Sequence, residues 1–423
     1  MNFAHNPILP EHIFVPDVEA HAWGDGRIYF YGSLDIQGKK SFCSGMHHVY
    51  SSDDLVHWVD HGIAFSIEDS TWAKDCGVLY APDCAFRDGW YYLYYCVPDG
   101  RCGVAKSQSP TGPFTDVGQI EGVWGIDPAV FIDDDGQAYL YWGQLTWCHA
   151  AKLKENMVEI EQDSICTPLT VEEHEFHEGS SVKKINGKYY YLFADTHRHG
   201  DPDRPDGRPS CLGYAVSDHP MHGFEYGGVI IDNFGCDPGV WNNHGSIEQF
   251  NGQWYVFYHR STHGAEYSRH VCAEPIYFDE DGKIREVKQT SSGVAPAIKA
   301  TEQMRASLAC ELQGRVRIEG DREQAYALAL AEIANGDRAN YRYLDFDGEN
   351  TFTICMKSDA GCRVELFVDG EYCADFKLPA SEESVQTTVR IPAIRGRRTL
   401  TLAWYGKFAT ASVQKFTFSK EWI

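Results

Sequence analysis

The chain has 423 residues, 43% hydrophobic and 13% aromatic, enough to bury a large core in two or more domains and too apolar for a disordered protein. With 37 basic against 61 acidic residues the net charge is −24, a surface that repels phosphate backbones and excludes nucleic acid as a partner. No run of about eighteen apolar residues occurs, so no membrane-spanning helix is expected.

The opening MNFAHNPILPEHIF lacks the basic start and apolar stretch of a secretory signal. The 14 cysteines lie in strand-like stretches without a CxxC pair and read as reduced thiols, so a cytoplasmic protein is expected. Gly 39, Tyr 24, Phe 22 and Trp 11 favour an all-β chain rich in turns.

Taken in chain order, five segments share one shape: GDGRIYFYGS (24–33), RDGWYYLYYC (87–96), DDGQAYLYWG (134–143), INGKYYYLFA (185–194) and FNGQWYVFYH (250–259). Each places a Tyr three residues after a Gly, at Gly26/Tyr29, Gly89/Tyr92, Gly136/Tyr139, Gly187/Tyr190 and Gly252/Tyr255. Asp-Gly or Asn-Gly supplies the positive φ of a two-residue hairpin turn, and the aromatic run is the second strand. The glycines stand 63, 47, 51 and 65 residues apart, room for a four-stranded blade each time. HHVYSSDDLVHWVDHG, CGVAKSQSPTGPFTDVG and CLGYAVSDHPMHGFEYGG supply outer strands. The reading is a five-bladed β-propeller over residues 1–298, in preference to a sandwich with fortuitous turns.

The innermost strand of each blade lines the central channel. Nine residues before each turn Gly stand Asp17, Tyr80, Asp127, Glu178 and Asn243, with His244 beside the last. Rotational symmetry gathers equivalent positions at one mouth of the channel, so three carboxylates are expected to meet. Ion pairing or calcium binding is the bland account of such acids. A catalytic set suits glycoside hydrolysis: one carboxyl protonated to donate, one ionised to activate water or attack, and a third that tunes the acid.

These stretches carry a family likeness. NPILPEHIFVPDV, YAPDCAFRDGWYYLYY, GIDPAVFIDDDGQAYLYWG, HEGSSVKKINGKYYYLF and NNHGSIEQFNGQWYVFYHR, in that order, resemble glycoside hydrolase family 43 over about residues 5–295. The resemblance implies an inverting enzyme on a five-bladed propeller, with Asp17 as general base, Asp127 as the orienting and tuning acid and Glu178 as general acid. It also implies that His244 sits at the channel axis, near the sugar or holding a hydrated calcium ion, and that Arg269 reaches the sugar. Arg260 competes for that last role. No cofactor is required by the implied chemistry; calcium in the central channel is the one ion it suggests. The Trp-Met-Asn-Asp-Pro opening and Arg-Asp-Pro motif of invertase-type propellers are absent.

Sugars pack their C–H faces on aromatic rings, which makes Trp72 and Tyr80 candidates for the pocket wall, followed by Trp124 and Trp241. The loop HRHGDPDRPDGRPS (197–210) is placed at the rim, with His197 and His199 solvated. After TSSGVAPAIKA, period-two alternation in ANYRYLDFDG, TFTICMKSD, CRVELFVDG, SVQTTVRIPAI, RRTLTLAWYG and SVQKFTFSKEW predicts a β-sandwich over 302–423. It resembles the jelly-roll carbohydrate-binding modules of family 6. Tyr341, Tyr372 and Trp404 are its candidate sugar contacts, and packing against the propeller is the other role open to it. The resulting expectation is an exo-acting enzyme that removes terminal α-L-arabinofuranosyl or β-D-xylosyl units from oligosaccharides. The alternatives are action on galactosyl or internal arabinan linkages, and a non-catalytic sugar-binding propeller.

Overall fold

The computed structural model describes residues 5–145, 147–198, 210–237, 242–320 and 327–421. Blade 1 comprises β1 (Glu19–Ala22), β2 (Ile28–Tyr31), β3 (Met46–Ser52) and β4 (Trp58–Ser66). Blade 2 comprises β5 (Tyr80–Arg87), β6 (Trp90–Cys96), β7 (Arg101–Ser107) and β8 (Thr115–Trp124). Blade 3 has β9 (Ala129–Ile132), β10 (Ala138–Gln144) and β11 (Trp147–Lys152), extended by a bridge from Ala150 to Cys166. Blade 4 has β12 (Phe176–Ile185), β13 (Lys188–Asp195), β14 (Cys211–Ser217) and β15 (Glu225–Asp232). Blade 5 has β16 (Ser246–Phe250), β17 (Gln253–Thr262) and β18 (Ala265–Ile276); β19 (Val287–Lys288) returns to pair with β15.

The inner strands touch in the ring order β1, β5, β9, β12, β16 and back to β1. Closure uses the N-terminal segment. Ile8 N–H donates to Val271 O at 3.1 Å, and Ala273 N–H to Asn6 Oδ1 at 2.9 Å, so the start of the chain borders β18. The Asn6 amide also donates to Ala273 O, Glu274 Oε1 and Thr290 O.

The second strand of each blade explains the aromatic runs. Successive strand residues face opposite ways, and here both faces are buried between blades. Tyr29 and Tyr31 enter the core between blades 1 and 2, while Ile28 and Phe30 enter that between blades 5 and 1. Leu93 and Tyr95 likewise oppose Tyr94 and Cys96. Five apolar clusters result, one between each pair of adjacent blades.

The hairpins differ from expectation in two blades. Asp88-Gly89, Asn186-Gly187 and Asn251-Gly252 form two-residue turns with both φ angles positive. In blades 1 and 3 the last pairs are Ala22–Ile28 and Ile132–Ala138, so five-residue loops replace the expected turns.

The C-terminal domain contains β20 (Ile298–Lys299), β21 (Met304–Arg305), β22 (Glu311–Gln313), β23 (Arg317–Gly320), β24 (Leu328–Ala331), β25 (Arg338–Ser358), β26 (Cys362–Val368), β27 (Glu371–Leu378), β28 (Ser381–Gly406) and β29 (Ala411–Ser419). The boundary expected at 298–302 lies beside β20, whose Ile298 and Lys299 pair with β25 of this domain. ANYRYLDFDG and TFTICMKSD, expected as separate strands, are one 21-residue strand, and β28 likewise runs through 26 residues. Register shifts along their pairing, as between Tyr341 and Leu344, let these long strands bend. They fold the sheet over one core containing Leu312, Ile354, Leu402 and Phe416.

Candidate active site

The nine-residue spacing works because two irregularities cancel. Blades 1 and 3 have longer hairpins. Blades 2 and 4 instead carry a bulge on the inner strand, between Tyr80 and Asp83 and between Glu178 and Ser181. All four positions therefore reach the same level of the mouth. Blade 5 has a short turn and no bulge. Its register pairs Ser246 with Phe257, so two residues further on His244, rather than Asn243, stands level with the others and opposite His259. Asn243 turns its amide to Ser210 O instead.

Asp17 and Asp127 sit just before their inner strands rather than within them, with φ of 56° and 55°. Aspartate tolerates this left-handed conformation better than most residues, and the kink puts both carboxyls at the mouth. Asp17, Asp127 and Glu178 are 5%, 6% and 7% exposed.

Around Asp17 the site is basic. Its Oδ1 accepts from Arg269 Nη1 at 2.9 Å and lies 3.3 Å from His259 Nδ1 and 3.8 Å from His244 Nδ1. Arg269 is itself gripped by Asp35, through Nε to Oδ2 at 2.9 Å and Nη2 to Oδ1 at 3.0 Å. Burial works against ionisation of Asp17, but the Arg269 charge and the His259 hydrogen bond outweigh it and hold the carboxyl well below the usual range. Burial lowers His244 to about 4 despite the Asp17 charge, so its imidazole is neutral at pH 7.

Asp127 and Glu178 form the other half. Asp127 Oδ2 accepts the Gly179 N–H at 3.1 Å and stands 3.7 Å from His244 Nδ1. Its pKa is raised well above the ordinary value, by burial first and then by the charge of Glu178, with Cys96 and Asp17 adding to it. Glu178 accepts from Gln144 Nε2 at 2.7 Å on one oxygen and from Asn242 Nδ2 at 3.3 Å on the other. Gly179 has φ 74°, and a Cβ there would stand 3.0 Å from His244 Cγ. Glycine at that position lets the imidazole lie against the backbone beside the acid.

The structure thus brings together Asp17, Asp127, Glu178, His244 and Arg269. Tyr80 joins them: burial raises its hydroxyl pKa first, followed by Cys43 and Cys96, with Arg269 and Asp127 also acting on it. Trp72 stacks on Tyr95 at 5.9 Å and carries the Arg101 guanidinium at 5.0 Å, packing against β6 and β7. Trp124 is 60% exposed at the end of β8. Trp241 and His199 lie outside the described residues; His197 is exposed and stacks on Tyr226. Arg260 points away from the site and donates to Ser307 O and Ala309 O. Tyr341 and Trp404 are wholly buried in the C-terminal core, which removes them as sugar platforms; Tyr372 is 57% exposed.

Sequence reading missed Asp35, His259, Gln144 and Asn242. His259 was within reach of it, because it stands seven residues after its turn Gly, opposite the mouth position. Asp35 carries no comparable spacing signal.

Deeper in the channel, Glu19, His21 and Asp83 bring three ligand atoms within 4.8 Å of one another. Lys183 Nζ donates to Glu248 at 2.8 Å and to Ala20 O at 3.2 Å beside them. Glu19 Oε1 is buried without a partner, and burial followed by the Asp83 charge raises this carboxyl well above its ordinary value. These three residues could hold a metal ion, although the Lys183 ammonium already stands 3.4 Å from His21 Nδ1 and His21 Nε2 bonds Asp83 at 2.7 Å; His244 supplies no ligand to that set.

An aspartate clamped by a buried arginine, with two further buried carboxyls at the mouth of a five-bladed propeller, is the arrangement of a glycoside hydrolase. The chain matches the glycosyl hydrolases family 43 over residues 4–284, and it belongs to that family. A xylosidase/arabinosidase from Thermoclostridium stercorarium is 30% identical over 97% of this chain and 98% of its own length. Among solved structures, an α-L-arabinofuranosidase from Clostridium thermocellum ATCC 27405 is 34% identical, with TM-score 0.55 over 66% of this chain and 95% of that one. A family 43 arabinoxylan arabinofuranohydrolase from Bacillus subtilis, in complex with cellotetraose, shares the fold across 98% of this chain and 97% of its own, with TM-score 0.58 and 24% identity.

Proposed function

We propose that the protein is an inverting, exo-acting glycosidase that releases terminal α-L-arabinofuranosyl or β-D-xylosyl units from oligosaccharides. The observation that carries the reading is the split of the carboxyls. Asp17 is held ionised by Arg269, whereas burial and the neighbouring Glu178 charge raise Asp127 well above its ordinary value. Among the described residues the contacts on Asp17 fall on Oδ1, which leaves Oδ2 to take a proton from the attacking water. Glu178, oriented by Gln144 and Asn242, gives its proton to the departing oxygen. Asp127 accepts the Gly179 N–H at 3.1 Å and so fixes the backbone next to Glu178.

No cofactor enters these steps. A cation at Glu19, His21 and Asp83 would supply positive charge to the channel carboxylates. The names of the xylosidase/arabinosidase and arabinofuranosidase relatives support the choice of pentose. All 14 cysteines are free thiols, which supports a reducing compartment and hence oligosaccharides as substrates.

A panel of nitrophenyl glycosides, with the first-formed anomer followed by NMR, tests the proposal. Release of a pentose with inverted configuration is expected. Retention of configuration, or turnover of hexosides alone, would overturn it.

A further inference from the structure

Arg260 follows His259 on β17, and adjacent strand residues face opposite ways. His259 faces Asp17, whereas Arg260 is 1% exposed and donates from Nη1 to Ala309 O at 2.6 Å and from Nη2 to Ser307 O at 2.7 Å. Among the described residues its charge is met by these carbonyls and by no ion pair.

Ser307 also reaches the N-terminal segment that leads to Asp17. Its hydroxyl donates to Glu11, whose second oxygen accepts from Arg305 at 2.9 Å and from Leu328 N–H at 3.3 Å. Glu11 stands six residues before Asp17, in a turn closed by Ile13 N–H to Pro10 O at 2.9 Å that opens the segment leading to it. Within that segment Ile13 O faces His270 Nδ1 at 3.2 Å, and Phe14 packs on the His270 ring at 4.2 Å. His270 pairs with Arg260 across β17 and β18 and adjoins Arg269. One turn of the C-terminal domain therefore holds both the segment that delivers Asp17 and the strand pair that delivers His259 and Arg269.

We propose that the C-terminal domain is a positioning element of the active site, gripping Glu11 and Arg260 through residues 305–309 to set the distance between Asp17 and its partners. The inference rests on Asp17 acting as the base. Arg260 and Glu11 are positioning residues, for neither touches the reacting atoms.

The test uses the full chain carrying Arg260→Met, Arg260→Lys or Glu11→Gln, assayed on the best nitrophenyl glycoside found for the wild type. Calorimetric titration with the released sugar counts intact sites. For Arg260→Met a loss of kcat on the order of 10- to 100-fold is expected, with KM nearly unchanged and one sugar still bound per chain. Arg260→Lys should recover part of the loss, and Glu11→Gln should fall in the same direction. Should Arg260→Met not fold, Glu11→Gln decides alone. Folded variants with wild-type kcat and merely a lower melting temperature would reduce the domain to a cap and overturn the proposal. A wild type that turns over a different glycoside corrects the substrate reading, and the same comparison on that substrate still decides this one.

Discussion

Arg269→Met separates the two halves of the site. The guanidinium stands 2.9 Å from Asp17 Oδ1, and both side chains are buried, at 3% and 7% exposure. Two unit charges at that distance attract by about 6 kcal/mol at an effective dielectric near 20, equivalent to roughly 4 pKa units at about 1.4 kcal/mol each. His259 and His244 remain as partners and recover part of this, so a rise of at least about 2 units in Asp17 is expected.

The sign follows from the role. A base must be ionised, and in the wild type Asp17 stays ionised through the working range, so it sets no acid limb there. In the variant its pKa climbs, and kcat/KM should fall on the acid side along a limb absent from the wild type. Arg269→Met also strips Asp35 of its partner, so the double variant with Asp35→Asn should keep the new limb while regaining stability. The assay is kcat/KM from about pH 2.5 to 7, with circular dichroism at each point. A folded variant that shows no acid limb beyond the wild type's would refute Arg269 as the group that keeps Asp17 charged.

Glu178→Ala should lose on the order of 10²- to 10⁴-fold on alkyl or sugar leaving groups and far less on acidic phenols; equal loss across leaving groups would remove Glu178 as the acid. Gly179→Ala must place a Cβ 3.0 Å from His244 Cγ at φ 74°, at a cost of about 1–2 kcal/mol for the backbone alone. Its melting temperature and kcat should both drop, and wild-type values would contradict the packing described. Burial pushes Glu274 up to about 8, although Thr290, Tyr258 and Asn6 donate to it. The folded state thus binds a proton that the unfolded chain has already released. Stability should therefore fall as pH climbs from about 5 to 8, by at most about 1.4 kcal/mol per unit. Urea midpoints of Glu274→Gln should fall less steeply over that window, the remaining slope coming from Asp195 and Asp237, which burial raises to about 6 and about 7; a parallel slope in both proteins would exclude Glu274 as a source.

Much of this protein was legible in one dimension, because its repeat is local. A hairpin turn requires Gly at a set place, and a strand buried on both faces requires an unbroken apolar run. Gly89 with Tyr91–Tyr95, or Gly187 with Tyr189–Phe193, therefore announce a blade wherever they occur. Counting back from those turns reached Asp17, Asp127 and Glu178, since each blade repeats the same geometry about one axis. That His244 rather than Asn243 reaches the mouth, and that blades 1 and 3 turn through five-residue loops while blades 2 and 4 carry bulges, depended on strand register, which is set by pairing with a partner strand and leaves no mark in residue spacing. The partners of the base belonged wholly to the tertiary level: Asp35 lies 234 residues from Arg269, and Arg269 252 from Asp17. Such contacts form when the ring closes and charges far apart in the chain are buried together. Burial and proximity, rather than residue type, then decide which carboxyl stays ionised.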